Sequence, residues 1–122
     1  MSDDLKRMWE QQKGFMDLLR EKRGFPEFPV DITSKEGQQV LREISHHVME
    51  ELFEAGLCLK NYKKHRVTED MIVDREHYLE EIVDVFHLLF ELCIASGIGR
   101  DELTNAYLEK GETNEKRITE GY

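Results

Sequence analysis

The chain has 122 residues, with 26 acidic against 17 basic side chains and a formal net charge of −9. That length suggests a single domain, residues 1–122, whose core is feasible but modest, so that oligomerisation would help to bury apolar surface. The acidic balance disfavours general binding to nucleic acid or to an anionic membrane, which both need a positive footprint; a phosphate ligand stays open, because divalent cations invert the local field.

The start, Met1-Ser2-Asp3-Asp4-Leu5-Lys6, lacks a basic segment followed by an apolar stretch, and charges interrupt every apolar run. Neither a signal peptide nor a transmembrane helix is expected, which points to the cytoplasm. Cys58 and Cys93 are too few for a disulfide framework and form no CxxC pair, so two buried free thiols are expected.

In chain order, the first predicted helix runs from about Asp4 to Lys22, with apolar positions Leu5, Met8, Trp9, Phe15, Met16 and Leu19. Gly14 weakens its middle. The clearest break follows at Phe25-Pro26-Glu27-Phe28-Pro29, which holds both prolines of the chain. The second helix begins near Thr33-Ser34-Lys35-Glu36, where Thr33 and Glu36 form a capping-box pattern. Its apolar stripe is Leu41, Ile44, Val48, Leu52, Ala55 and Leu59, and it fades near Lys63. The segment from His65 to Val73 reads as a loop, and Asp74 as the N-cap of a third helix that continues to about Ser96. That helix has a broad apolar face of Leu79, Ile82, Val83, Phe86, Leu89, Phe90 and Cys93, fit for a central position or a second subunit. Gly97 and Gly99 end it. A short fourth helix spans about Asp101 to Leu108, and residues 110–122 read as a polar tail that is mobile without a ligand. No strand pattern competes, so the fold class is all-α, a bundle of about four helices.

One plan occurs twice. Glu50-Glu51-Leu52-Phe53-Glu54 and Glu80-Glu81-Ile82-Val83-Asp84 place acidic residues at matching positions on consecutive long helices. At about 100° per residue, Glu51 and Glu54 share one helix face beside the apolar stripe, and Glu81 and Asp84 do the same on the next helix. If the helices pack side by side, four carboxylates converge. Like charges at that spacing repel, so a positive partner is implied. All-oxygen ligands suit a hard cation, Mg²⁺ first and Mn²⁺ second. The plain alternative is two solvated helix faces in an acidic protein.

With these motifs the chain resembles the all-α nucleoside triphosphate pyrophosphohydrolases, which include MazG-like enzymes and dimeric dUTPases. Their EExxE, spacer, ExxD signature reads here as Glu50-Glu51-x-x-Glu54, residues 55–80, then Glu81-x-x-Asp84. The tail is similar to that of dimeric dUTPases and phage relatives through Tyr107, Lys110, Asn114, Arg117, Gly121 and Tyr122. The resemblance implies that Glu51, Glu54, Glu81 and Asp84 bind Mg²⁺, that Glu50 positions or deprotonates the attacking water, and that Lys110, Asn114 and Arg117 hold the phosphates. It implies attack on the α-phosphate of a deoxynucleoside triphosphate with release of pyrophosphate. dUTP leads as substrate, with dCTP, purine or broader (d)NTP ranges as alternatives. It also implies a homodimer or a dimer of dimers. Relatives show Met-Gln and then Asn or Asp in the first helix. Here Gln12 matches, but the later position falls on Met16, and Ile118 stands where a glutamine is usual.

Among the remaining residues, Lys60, Lys63, Lys64 and Arg66 cluster after the second helix, either favouring its dipole or attracting the triphosphate, with Lys63 preferred. Trp9 and Phe15 offer a stacking surface for a base, or simply core. Gln12 offers a hydrogen bond to a base edge. His47, one turn before Glu51, is a candidate to orient a ligand. His46 after Glu43 and His87 after Asp84 give ExxH-like pairs that evoke di-iron bundles, but Glu43 and His46 should project away from the core stripe. A di-iron carboxylate protein and a non-catalytic helical interaction module are the competing classes.

Overall fold

The computed structural model describes residues 3–60, 62–67 and 72–121. It contains four helices, α1 (Asp4–Arg23), α2 (Lys35–Gly56), α3 (Arg75–Ala95) and α4 (Arg100–Thr119), and no strand among the described residues. The all-α expectation is met.

Each helix start has a local cause. The Asp3 carboxylate accepts from Lys6 N at 3.1 Å and caps α1, which ends at Gly24 with φ 68°. Gly14 lies inside α1 without interrupting it. For α2 the cap is Ser34, whose hydroxyl accepts from Gly37 N at 2.9 Å. The predicted Thr33 cap is one residue early, because Thr33 is held by Asp31, which accepts from both its N–H and its hydroxyl at 2.9 and 2.6 Å. Asp74 caps α3 as expected, accepting from His77 N at 3.2 Å.

Two boundaries differ from the pattern reading. α2 stops at Gly56, well before Lys63, where the Gly-Leu-Cys-Leu stretch turns. α4 runs to Thr119, so residues 110–119 are helical rather than a polar tail. It holds no buried residue; its polar sequence lacks the apolar stripe on which the prediction relied. Tyr122, and residues 68–71 of the predicted loop, lie outside the described residues.

α2 and α3 pack along each other, and α1 packs more lightly on α3. The buried apolar side chains are Trp9, Met16, Ala55, Val85 and Ala95, with the Trp9 ring 5.4 Å from that of Phe90. The segment after α1 crosses the end of α3: Val30 N–H donates to Ala95 O at 2.9 Å, and the Phe28–Pro29 bond is cis. Gly97 turns here at φ 79°, where a β-carbon would stand 3.5 Å from the Pro29 Cβ. Beyond it α4 leaves α3 at 111°.

Much of the expected core remains at the surface. Leu52, Leu79, Val83, Phe86 and Leu89 are all exposed, although they fall on the predicted apolar faces. The accessible surface is 10188 Å², against about 6,900 Å² for a compact monomer of this mass. One copy of the chain therefore leaves a large apolar face unpaired. Cys58 and Cys93 are free but only half-buried, and burial pushes the Cys93 thiol up.

Candidate active site

Packing α2 on α3 turns the two acidic faces toward each other. One carboxylate oxygen each from Glu51, Glu81 and Asp84 lies within 4.8 Å of the others. Glu54 is not in this group of three, but it stands close enough to Glu51 to act on its charge. Burial raises the Glu51 carboxyl above its ordinary value, and the neighbouring Glu54 and Asp84 raise it further, while His47 opposes them. Glu81 Oε2 is buried and has no hydrogen-bond partner. A buried, unpaired carboxylate oxygen is costly, and so is a knot of like charges. A hard divalent cation relieves both, so the residues present fit one.

Each half-buried glutamate has an imidazole one turn before it. His47 Nε2 is 3.4 Å from Glu51 Oε1, and His77 Nε2 is 3.7 Å from Glu81 Oε1. His47 was expected beside the cluster. His77 was not singled out, though the repeated His-x-x-x-Glu spacing was in the sequence. No imidazole belongs to the three-carboxylate group among the described residues. Glu43, expected to turn away, shares a cavity wall with Asp84 and His87; His46 does not line it.

The carboxylates stand between two cavities. The larger, about 760 Å³, is lined by Glu51 and Asp84 and continues along α3 past His87, Leu88 and Glu91, with Gln12 and Phe15 of α1 and Phe25 and Phe28 of the following segment opposite. The smaller, about 440 Å³, is lined by Glu54 and Glu81 together with Lys60, Asp74 and His77. The paired acidic motifs thus divide their side chains between two compartments.

Several sequence candidates fall elsewhere. Trp9 is only 4% exposed, packs on Phe90 and lines neither cavity, so it is a core residue; Phe15 is the aromatic of α1 that faces the cavity. Gln12, 3% exposed, does line it, and its Oε1 lies 3.0 Å from His87 Nδ1. An amide oxygen only accepts, so the Nδ1–H tautomer of His87 donates there. Glu50 is exposed and outside both walls, being rotated about 100° around α2 from Glu51. Lys63 is exposed in the loop, and Lys60 takes its expected place beside the carboxylates. Lys110, Asn114 and Arg117 share one face of α4, which the chain does not bring to either cavity.

The chain is thus an all-helical domain in which α2 and α3, packed along each other, present facing carboxylates beside a large cavity. The family model described as dUTPase matches residues 32–122, well over half of the chain, and the chain belongs to that family. The match covers α2, α3 and α4 but not α1, so Gln12 and Phe15 lie outside it. No match was found among curated proteins or among solved structures.

Proposed function

We propose that the chain is a Mg²⁺-dependent diphosphohydrolase that cleaves a deoxynucleoside triphosphate, dUTP foremost, to the monophosphate and pyrophosphate. The observation that carries this reading is the Glu51, Glu81 and Asp84 cluster standing between a large, partly aromatic cavity and a smaller one holding Lys60. A nucleoside suits the first compartment and a departing pyrophosphate the second.

Glu51, Glu81 and Asp84 would hold the cation, with Glu54 beside Glu51; Mn²⁺ suits the same oxygen donors. When bound, the ion neutralises phosphate charge and makes a water more nucleophilic. Glu54, adjacent to the cluster and open to the smaller cavity, is better placed than Glu50 to orient that water and accept its proton. The water attacks the α-phosphorus in line with the bond to the bridging oxygen, which leaves with the pyrophosphate toward Lys60. Phe15, Phe25 and Phe28 exclude water around the nucleoside.

The unpaired apolar faces of α2 and α3 support a homodimer or a dimer of dimers. In such an assembly Lys110, Asn114 and Arg117 of α4 would reach the phosphates in a neighbouring copy.

The test is a panel of nucleoside triphosphates assayed with Mg²⁺ for pyrophosphate. Monophosphate and pyrophosphate from dUTP are expected. Turnover of none of the panel, or release of orthophosphate alone, would overturn the reading.

A further inference from the structure

α3 carries a second carboxylate into the large cavity. Asp84, His87, Leu88 and Glu91 all line it, and their spacing places them on one helix face. Glu91 stands two turns beyond Asp84, about 10 Å along the axis, so it lies a nucleoside's length from the cluster. It is 9% exposed, and among the described residues its side chain makes no hydrogen bond and no ion pair. The imidazole nearest in effect to it is that of His47, whose Nε2 is 3.4 Å from Glu51 Oε1.

A largely buried carboxylate that opens onto a cavity takes its hydrogen-bond donors from whatever fills that cavity. The cavity is where that donor would come from. Across it, Gln12 has its oxygen occupied by His87, and its amide N–H groups make no other hydrogen bond among the described residues. The wall therefore offers amide donors from α1 and an acceptor from α3, between aromatic side chains. A uracil ring presents the matching edge: carbonyl oxygens flanking a ring N–H.

We propose that Glu91 selects the base, its carboxylate accepting a hydrogen bond from the uracil N3–H. This rests on the triphosphate hydrolase reading of the cluster. Glu91 is assigned no part in cleavage, and its position along α3 sets which base is seated while Asp84 serves the phosphates.

The experiment compares dUTP, 3-methyl-dUTP and dCTP with the wild-type chain, Glu91→Ala and Glu91→Gln, measuring kcat/KM and checking each fold by circular dichroism. A site built to bond a donor rejects an analogue lacking it strongly, so the wild type should disfavour 3-methyl-dUTP by at least about 1,000-fold. Glu91→Ala should lose about 10- to 100-fold on dUTP, mostly in KM, with the discrimination against the methyl analogue largely collapsed. Glu91→Gln keeps a carbonyl acceptor and should recover part of the loss. Unchanged discrimination in a folded Glu91→Ala, or a wild type that prefers dCTP to dUTP, would overturn the assignment while leaving the hydrolase intact. A wild type that turns over no triphosphate would bring down the hydrolase reading, and the base-selecting role with it.

Discussion

Glu51, Glu81 and Asp84 crowd within 4.8 Å of one another between the two cavities, whereas Glu91, farther along the larger one, has no hydrogen bond among the described residues. Both arrangements are unfavourable in the free chain, for different reasons. The cluster suffers from mutual repulsion and from the orphaned Glu81 oxygen, and a dense positive charge relieves it. Glu91 suffers from burial, and a single directed N–H relieves it. On the proposed reading the first need is met by charge and the second by a directed hydrogen bond, so the cluster would accept many phosphates whereas Glu91 would discriminate between bases.

The sharpest way to break this comparison is to attack the cluster. Asp84→Asn is expected to lower kcat/KM by about 10³-fold while circular dichroism stays unchanged. Near-normal turnover would reduce the cluster to a solvated acidic face. The same substitution should abolish any rise in Tm that Mg²⁺ gives the wild type, since an ion that binds only the folded chain stabilises it by mass action.

Next in size is the support of the cavity's α1 wall. Trp9→Ala removes a buried ring packed on Phe90 and should cost about 3–5 kcal/mol of stability by urea unfolding. Were Trp9 instead a base-stacking residue, stability would hardly change and KM would rise.

Glu91→Gln offers a smaller effect of opposite sign. Burial holds the Glu91 carboxyl above its ordinary value, so the folded chain binds that proton more tightly than the unfolded chain does. This contribution to stability is complete below the unfolded pKa and is lost as pH rises through the folded one. Glu91→Gln should therefore melt a few degrees higher than the wild type at neutral pH, with the gap closing as pH falls to the ordinary glutamate range. A gap that is constant with pH would mean that Glu91 is not the titrating group. The smallest expected effect separates two lysines: Lys60→Ala should raise KM up to about fivefold, and Lys63→Ala should leave it nearly unchanged.

The legible part of the site was the part written in helical repeats. The two acidic motifs could be assigned to facing helix sides because helical periodicity converts spacing into direction, and the packing of α2 on α3 brings Glu51, Glu81 and Asp84 together. Trp9 and Glu50 show where spacing alone is insufficient. Trp9 lies on the apolar stripe, but a stripe does not say whether its aromatic meets a core or a cavity; Phe90, from a helix distant in sequence, decided that. Glu50 adjoins Glu51 in sequence, yet one residue along a helix is a large rotation, enough to move it out of the cavity wall. Lys60 rather than Lys63 lines the smaller cavity because α2 ends at Gly56, and once helical geometry stops, the spacing rule stops with it. Glu91 is an acidic residue in an apolar run, and only the placement of α1 and of the Phe25–Phe28 segment makes its surroundings a cavity.

The sequence by itself determined the helical class, all four helix starts to within a residue or two, and the pairing of acidic motifs, because these depend on interactions between residues close along the chain. Tertiary structure alone decided which side chains face the large cavity, how the carboxylates divide between the two cavities, and that Glu91 opens onto the larger one. Those outcomes depend on contacts between distant segments, such as Gln12 with His87 and Val30 with Ala95, whose cost and gain no local pattern encodes.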